Sequence, residues 1–320
     1  MILIGLFGIG IASFIYALAR SFTILLISRL LQGLFASFTY SAVFAYIADI
    51  YPPYQRGSKM GLIGGLIGVG MIIGPFCGGI LADLGGLWLP FVLCAVIAMV
   101  AFGLAILFLT ETRHESIRNQ PFSLRLVFAN FNLMMVAVII ALVTILWGSL
   151  EVVYPLHVSL RFGCGMTYLG IVFGIGSAIF AAVRYLSGSF SDRYGRRPLF
   201  LLGIFILIFG TFFLVIAPSK FLIGFALGIV FLAYGLFFGV APALLTDIIT
   251  HAKIPGLPYG AASGLYNISW SLAFFLGASG GGAFLDLVGF DMLHMGYTVL
   301  ISICFLLAYF FCSEPKDVYE

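Results

Sequence analysis

The chain has 320 residues, 62% of them hydrophobic and only 8% charged, with a formal net charge of +3. A soluble domain carries about 25% charged residues, so a surface facing water is excluded and lipid is the solvent that fits. The small charge, with no basic run interleaved with aromatics, also excludes a nucleic-acid partner.

Continuous apolar runs of about 20 residues predict helices able to cross a bilayer, whereas a strand barrel would show short alternating segments. Ten such runs occur: 2–19, 22–48, 60–83, 87–110, 132–158, 165–190, 198–217, 221–249, 260–284 and 291–312. The first is followed by Arg20 rather than preceded by positive charge, which argues for a membrane helix over a signal peptide. The second carries Arg29 inside its apolar stretch. A charge there is costly unless paired or hydrated, so Arg29 is either functional or snorkels to the nearer interface. Gln32, Gly33, Ala36 and Tyr40 continue its face, small and polar as a cavity wall would be.

The third run contains GVGMIIGPFCGG at 68–79. Gly70, Gly74 and Gly78 recur every four residues, and such a face lets a neighbouring backbone approach closely. Pro75 kinks this helix, and Gly79 closes the motif. After the fourth run, a polar connection at 111–131 divides four spans from six.

The fifth run sets Thr144, Trp147, Gly148, Glu151 and Tyr154 on one stripe, at spacings of three and four. The rest of that helix is mostly Val, Ile, Leu and Met, so the stripe is predicted to face a cavity. Glu151, an acid well inside a span, reads as a proton or cation site, or as the partner of an arginine such as Arg29 or Arg161. In the sixth run, Arg184 shares a face with Ser177, Ala181 and Gly188. It is a gate residue, a cavity residue, or one that snorkels to the interface.

The segment GSFSDRYGRRPLF (188–200) places Asp192 at a helix end, followed by Arg193, Gly195, Arg196 and Arg197. Positive-inside topology explains the arginines but not Asp192 or Gly195. In the ninth run Ser263, Asn267, Trp270 and Phe274 share a face, made cavity-like by Asn267. The five cysteines are scattered, and His114, His157, His251 and His294 form no pair with metal or catalytic spacing. No nucleophile motif or phosphate loop occurs, so neither an enzyme, a metal site nor a cofactor is expected.

One set of span ends holds Arg56, Lys59, Arg113, Arg118, Arg125, Arg193, Arg196, Arg197, Lys253 and Lys316; the other holds only Arg20, Arg161 and Lys220. Ten basic residues against three predict that the first set, with both termini, is cytoplasmic. The two sides of the chain are also related. GSKMGL (57–62) matches GAASGL (260–265), and Gly74, Gly78, Gly79 and Asp83 fall on Gly277, Gly281, Gly282 and Asp286 without a gap. ADI (48–50) faces TDI (246–248) upstream. Parallel repeats of this kind are a transporter signature. The third span matches the ninth, so the repeat unit has six helices, and the chain is predicted to hold helices three to twelve of a twelve-helix protein, without the first two.

Three motifs in order carry a resemblance. Gly70–Gly79 resembles the antiporter motif G-x-x-x-G-P-x-x-G-G of drug:proton antiporters of the major facilitator superfamily. SRLLQG (28–33) resembles their R-x-x-Q-G motif, and 188–200 resembles the superfamily's cytoplasmic loop G-x-x-x-D-R-x-G-R-R. AYIADI (45–50) is similar to the tetracycline and multidrug exporters and the vesicular amine transporters.

The resemblance implies an all-α major facilitator fold of two pseudo-symmetric bundles, ten helices being present. The first bundle spans 1–110, a cytoplasmic loop 111–131, the second bundle 132–312 and a tail 313–320. It implies proton-coupled export of a small lipophilic or amphipathic compound by a monomer in a plasma or vesicle membrane. Arg29 is then linked to proton coupling, together with Glu151. Asp192 and the arginines form a latch, for which Asp49 and Asp247, at matched helix ends, are candidate partners or simply solvated ends. The alternatives are a proton symporter or facilitator for a polar solute such as a sugar or organic anion, and a transport-inactive truncated form.

Overall fold

The structure is a computed structural model that describes residues 1–110, 130–251 and 260–312. Most of the connection expected at 111–131 and all of the tail at 313–320 lie outside the described residues. Among the described residues there are helices and no strands. In chain order these are α1 (Ile2–Leu18), α2 (Phe22–Ile50), α3 (Pro53–Gly85), α4 (Leu89–Phe108), α5 (Phe131–Phe162), α6 (Met166–Tyr194), α7 (Arg196–Ile216), α8 (Lys220–His251) and α9 (Gly260–Phe311).

Helix α9 is not one rod. Gly289 sits at φ 77° and ψ 170°, a conformation only glycine adopts readily, and it breaks α9 into two limbs. Among the described residues, nine helices with one broken are consistent with the ten spans read from the sequence. The helix starts follow local chemistry: Ser21 accepts from the Ile24 N–H (3.4 Å) and Asn130 from the Leu133 N–H (3.0 Å), as N-cap side chains do.

The chain divides into two units. One is built on α1–α4 together with residues 165–174, the start of α6; the other holds α5, the rest of α6, and α7–α9. In the first, α1 packs on α2 and α4, and its buried core positions are small, such as Ala12, Ala95 and Ala98. In the second, α5 runs along α9 and α7 along α8. Leu133, Ile140, Val143, Leu146, Ile204 and Leu227 there are fully enclosed. Large apolar side chains such as Leu66, Phe108, Leu160 and Phe225 are exposed, as they must be where the solvent is hydrocarbon.

Candidate functional site

In the first unit, Arg29 does not stand alone. Its Nη1 donates to Gln32 Oε1 (2.8 Å), and Gln32 Nε2 donates to Ser13 Oγ of α1 (2.8 Å). The guanidinium also lies 4.3 Å from the Tyr16 ring centroid and 5.2 Å from that of Phe91. An amide and two ring faces thus lower the cost of the charge, each cation–π contact contributing about 0.5–1 kcal/mol at an exposed site. The i, i+3 spacing of Arg29 and Gln32 makes this pairing local, and Tyr40, further along α2, is exposed.

Within the first unit, the glycine motif makes its close approach at one end. Among the described residues, nothing lies within 4 Å of a Cβ built on Gly70, Gly74 or Gly78. The close approach is at Gly79, where a Cβ would land on the Met166 carbonyl and 2.9 Å from Gly170 Cα; at Gly170 a Cβ would meet the Pro75 carbonyl oxygen at 2.5 Å. Residues 72, 75, 76, 79 and 83 of α3 form this face, about 100° round the helix from Gly78. Overpacking costs about 1–3 kcal/mol. Gly79→Val should therefore lower the stability of the purified protein by that amount in a denaturation assay. Gly78→Leu should leave it within about 0.5 kcal/mol.

At the end of the same face lies a residue whose role sequence reasoning missed. Asp83 Oδ1 accepts from the Met166 N–H (3.0 Å) and Oδ2 from the Thr167 N–H (2.7 Å). The residues before α6, Gly163, Cys164 and Gly165, offer none of the usual N-cap side chains. Asp83 supplies the cap from another helix, and its charge suits the positive end of α6.

In the second unit, Trp147 Nε1–H donates to Glu151 Oε1 (2.6 Å), one turn along α5. The indole is buried among four rings from α6 and α8, with centroids at 4.4 Å (Tyr234), 5.1 Å (Phe180), 5.6 Å (Phe231) and 5.7 Å (Phe238). Glu151 itself is exposed. Arg161, the arginine of this unit that could have paired with it, faces Asp291 instead (4.0 Å).

The rest of the stripe is enclosed by its own unit. Thr144 and Tyr154 are fully buried. Thr144 Oγ1 donates to its own Ile140 carbonyl (2.7 Å), so its polarity is spent inside α5. Gly148 lets α9 in: a Cβ there would fall on the Phe274 carbonyl and 3.0 Å from Ala278 N.

Arg184 is exposed, its guanidinium 5.8 Å from the Phe180 centroid, so it shares a ring with Trp147. Asn267 is exposed on the first limb of α9, and Trp270 stacks on Phe274 at 5.2 Å.

Gly195 is buried at φ 89° and ψ 156°, the single residue that turns the chain from α6 into α7. That turn accounts for the glycine in the loop motif. Arg196 Nε then meets Asp247 Oδ2 of α8 at 2.9 Å, with the two side chains only 17% and 12% exposed. Arg197 Nη2 donates to the Tyr309 carbonyl of α9, and Arg193 is exposed. The side chain of Asp192 lies outside the described residues. Asp49, in the first unit, is half-buried and lines a cavity of about 590 Å³ with Tyr46, Leu109 and Thr110.

Comparison with known proteins gives a family and relatives. The profile of the Major Facilitator Superfamily matches residues 1–278. Multidrug resistance protein 1 of Bacillus subtilis is 29% identical over 317 residues, covering 97% of this chain and 79% of the relative. The synaptic vesicular amine transporter of Bos taurus is 24% identical over 314 residues, 95% of this chain and 59% of that longer protein. Among solved structures, a bacterial homolog of the human lysosomal transporter Spinster, inward-facing and unoccupied, superposes with a TM-score of 0.77 at 14% identity. That match covers 97% of this chain and 82% of the other.

Proposed function

The chain belongs to the Major Facilitator Superfamily, a family of transporters, and we propose that it exports small lipophilic or amphipathic compounds, cations among them, in exchange for protons. The observation that carries this reading is the exposed Glu151 carboxylate, hydrogen-bonded by Trp147 at the edge of an aromatic cluster. A carboxylate can hold either a proton or a cationic headgroup, and the rings suit the apolar remainder of such a molecule. Protonation removes the charge, so proton and substrate compete for one group, and the proton's entry releases the substrate.

Arg29, a fixed cation held by Gln32, is the second residue assigned to coupling, through its motif. Gln32, Tyr40, Thr144, Trp147, Tyr154, Arg184, Asn267 and Trp270 are the proposed cavity residues. The gate comprises Asp49, Asp192, Arg193, Gly195, Arg196, Arg197 and Asp247. The proposed protein works as a monomer, with both termini in the cytoplasm, by rocking of two bundles around a central site. The similarity to a multidrug resistance protein and an amine transporter supports efflux of this kind.

The test is flux in proteoliposomes under an imposed pH gradient, across a panel of cationic, neutral and anionic probes. Lipophilic cations such as tetraphenylphosphonium should move against their gradient when protons flow the other way. Accumulation of anions alone, or flux indifferent to the pH gradient, would reject the reading.

A further inference from the structure

A second cluster of titratable side chains lies in the six-helix unit, away from Glu151. Phe290 immediately follows Gly289, the residue that breaks α9. His157 of α5 stacks on Phe290 with centroids 3.6 Å apart and planes at 16°; His294, one turn along α9, stacks on it at 3.9 Å and 28°. Two rings this close and this parallel to a third cannot share one of its faces, so the imidazoles take opposite sides. The next residue, Asp291, faces Arg161, which is one turn beyond His157 on α5. Two consecutive residues after the break are therefore held by two adjacent positions of α5.

The protonation pattern is fixed by geometry. His294 Nδ1 lies 3.0 Å from the Phe290 carbonyl oxygen, and a carbonyl can only accept, so Nδ1 carries the hydrogen and Nε2 the lone pair. His294 is fully enclosed, and its Nε2 has no hydrogen-bond partner among the described residues. The enclosed Nε2 of half-buried His157 has none either. The neighbours on each packed element are few. Helix α5 presents Arg161, α9 presents Asp291 and Tyr297 (5.9 Å from His294), and α7 presents the uncharged Thr211, which reaches Thr298 at 3.1 Å. Helix α8 presents Tyr234, within electrostatic reach of Tyr297.

We propose that His157 and His294, closed on the two faces of Phe290, form a proton-binding clamp, distinct from Glu151, that holds the turn of α9 on α5. In the neutral state both rings stack and the turn is pinned. Protonating either imidazole leaves it with an Nε2–H that has no acceptor in its enclosure among the described residues. Attraction to the ring face does not replace the lost solvation, so the protonated ring leaves the stack and the turn is released. The proton comes from water and returns to it; no bond other than N–H forms or breaks.

Hydrogen exchange of the full chain in lipid nanodiscs tests this at about pH 7.5 and about pH 4. The lower value lies below the ordinary imidazole range because the closed stack favours the neutral rings. Peptides covering 286–294 are compared with 300–310 of the same limb, after correction for the intrinsic pH dependence of exchange. Wild-type protection at 286–294 should fall by roughly tenfold or more at the lower pH, as a buried contact is lost. In His294→Gln and in His157→Gln the clamp has lost one of its two rings, so protection at 286–294 should already be low at the higher pH and the ratio between the two pH values should be near one. Should His294→Gln not fold, His157→Gln, on the half-buried ring, decides. An unchanged wild-type ratio overturns the proposal. So does a fall that persists in the His157→Gln protein, or one abolished by Glu151→Gln and not by the histidine variants.

Discussion

Glu151→Gln should abolish pH-driven accumulation of lipophilic cations while leaving the protein folded. Glutamine keeps an oxygen to accept from Trp147 Nε1, so the 2.6 Å bond and the ring cluster around the indole survive. What disappears is the group that proton and cation share. Tetraphenylphosphonium has no hydrogen-bond donor, so what it loses is Coulomb attraction, about 2–3 kcal/mol at a separation of about 6 Å and an effective dielectric constant of about 20. Its affinity should drop by roughly tenfold to a hundredfold. Neutral probes should lose less. Had Glu151 been the structural partner of an arginine, the variant would fold poorly. With Arg161 facing Asp291 and Arg29 held by Gln32, normal folding is the expected outcome.

The second large effect is at the corner between α6 and α7. Arg196→Ala would leave the Asp247 carboxylate, only 12% exposed, without its guanidinium at 2.9 Å. Removing one member of a buried pair costs about 3–5 kcal/mol, discounted here toward about 2–3 kcal/mol for the partial exposure of both groups. Thermal unfolding in detergent should show the loss. The double variant Arg196→Leu with Asp247→Leu should recover much of it, because it leaves no stranded charge. Transport should slow in the single variant with probe affinity within a few-fold of wild type, since Arg196 belongs to the loop motif and the pair lies apart from Glu151. Equal losses in single and double variants would show that the pair contributes nothing beyond packing.

The helices were legible because a bilayer fixes span length, and counting apolar residues needs no tertiary knowledge. That Trp147 and Glu151 share a face was legible for a similar reason: four residues apart on a helix, their side chains are neighbours, though the bond between them was not read from the sequence. Thr144 and Tyr154 share that stripe yet are buried, because periodicity locates a face without saying which part a neighbouring helix covers. The glycine motif announced close packing, and within the first unit the approach is at Gly79. One residue rotates a helix face by about 100°, which a motif cannot resolve. Asp83 left a faint signal: α6 starts after two glycines and a cysteine, so its cap had to come from elsewhere. The pairing of His157 with His294 left none, since distant positions on α5 and α9 share no period.

The most direct test of the central claim is proton release on binding. Tetraphenylphosphonium is added to the solubilised protein in weakly buffered solution, over about pH 5.5 to 8, and released protons are counted against bound cation. If the two compete for Glu151, the wild-type protein should release up to about one proton per bound cation in some part of that range, and Glu151→Gln should release none. Equal release from both proteins, or no release from wild type at any pH while the cation still binds, would contradict the account.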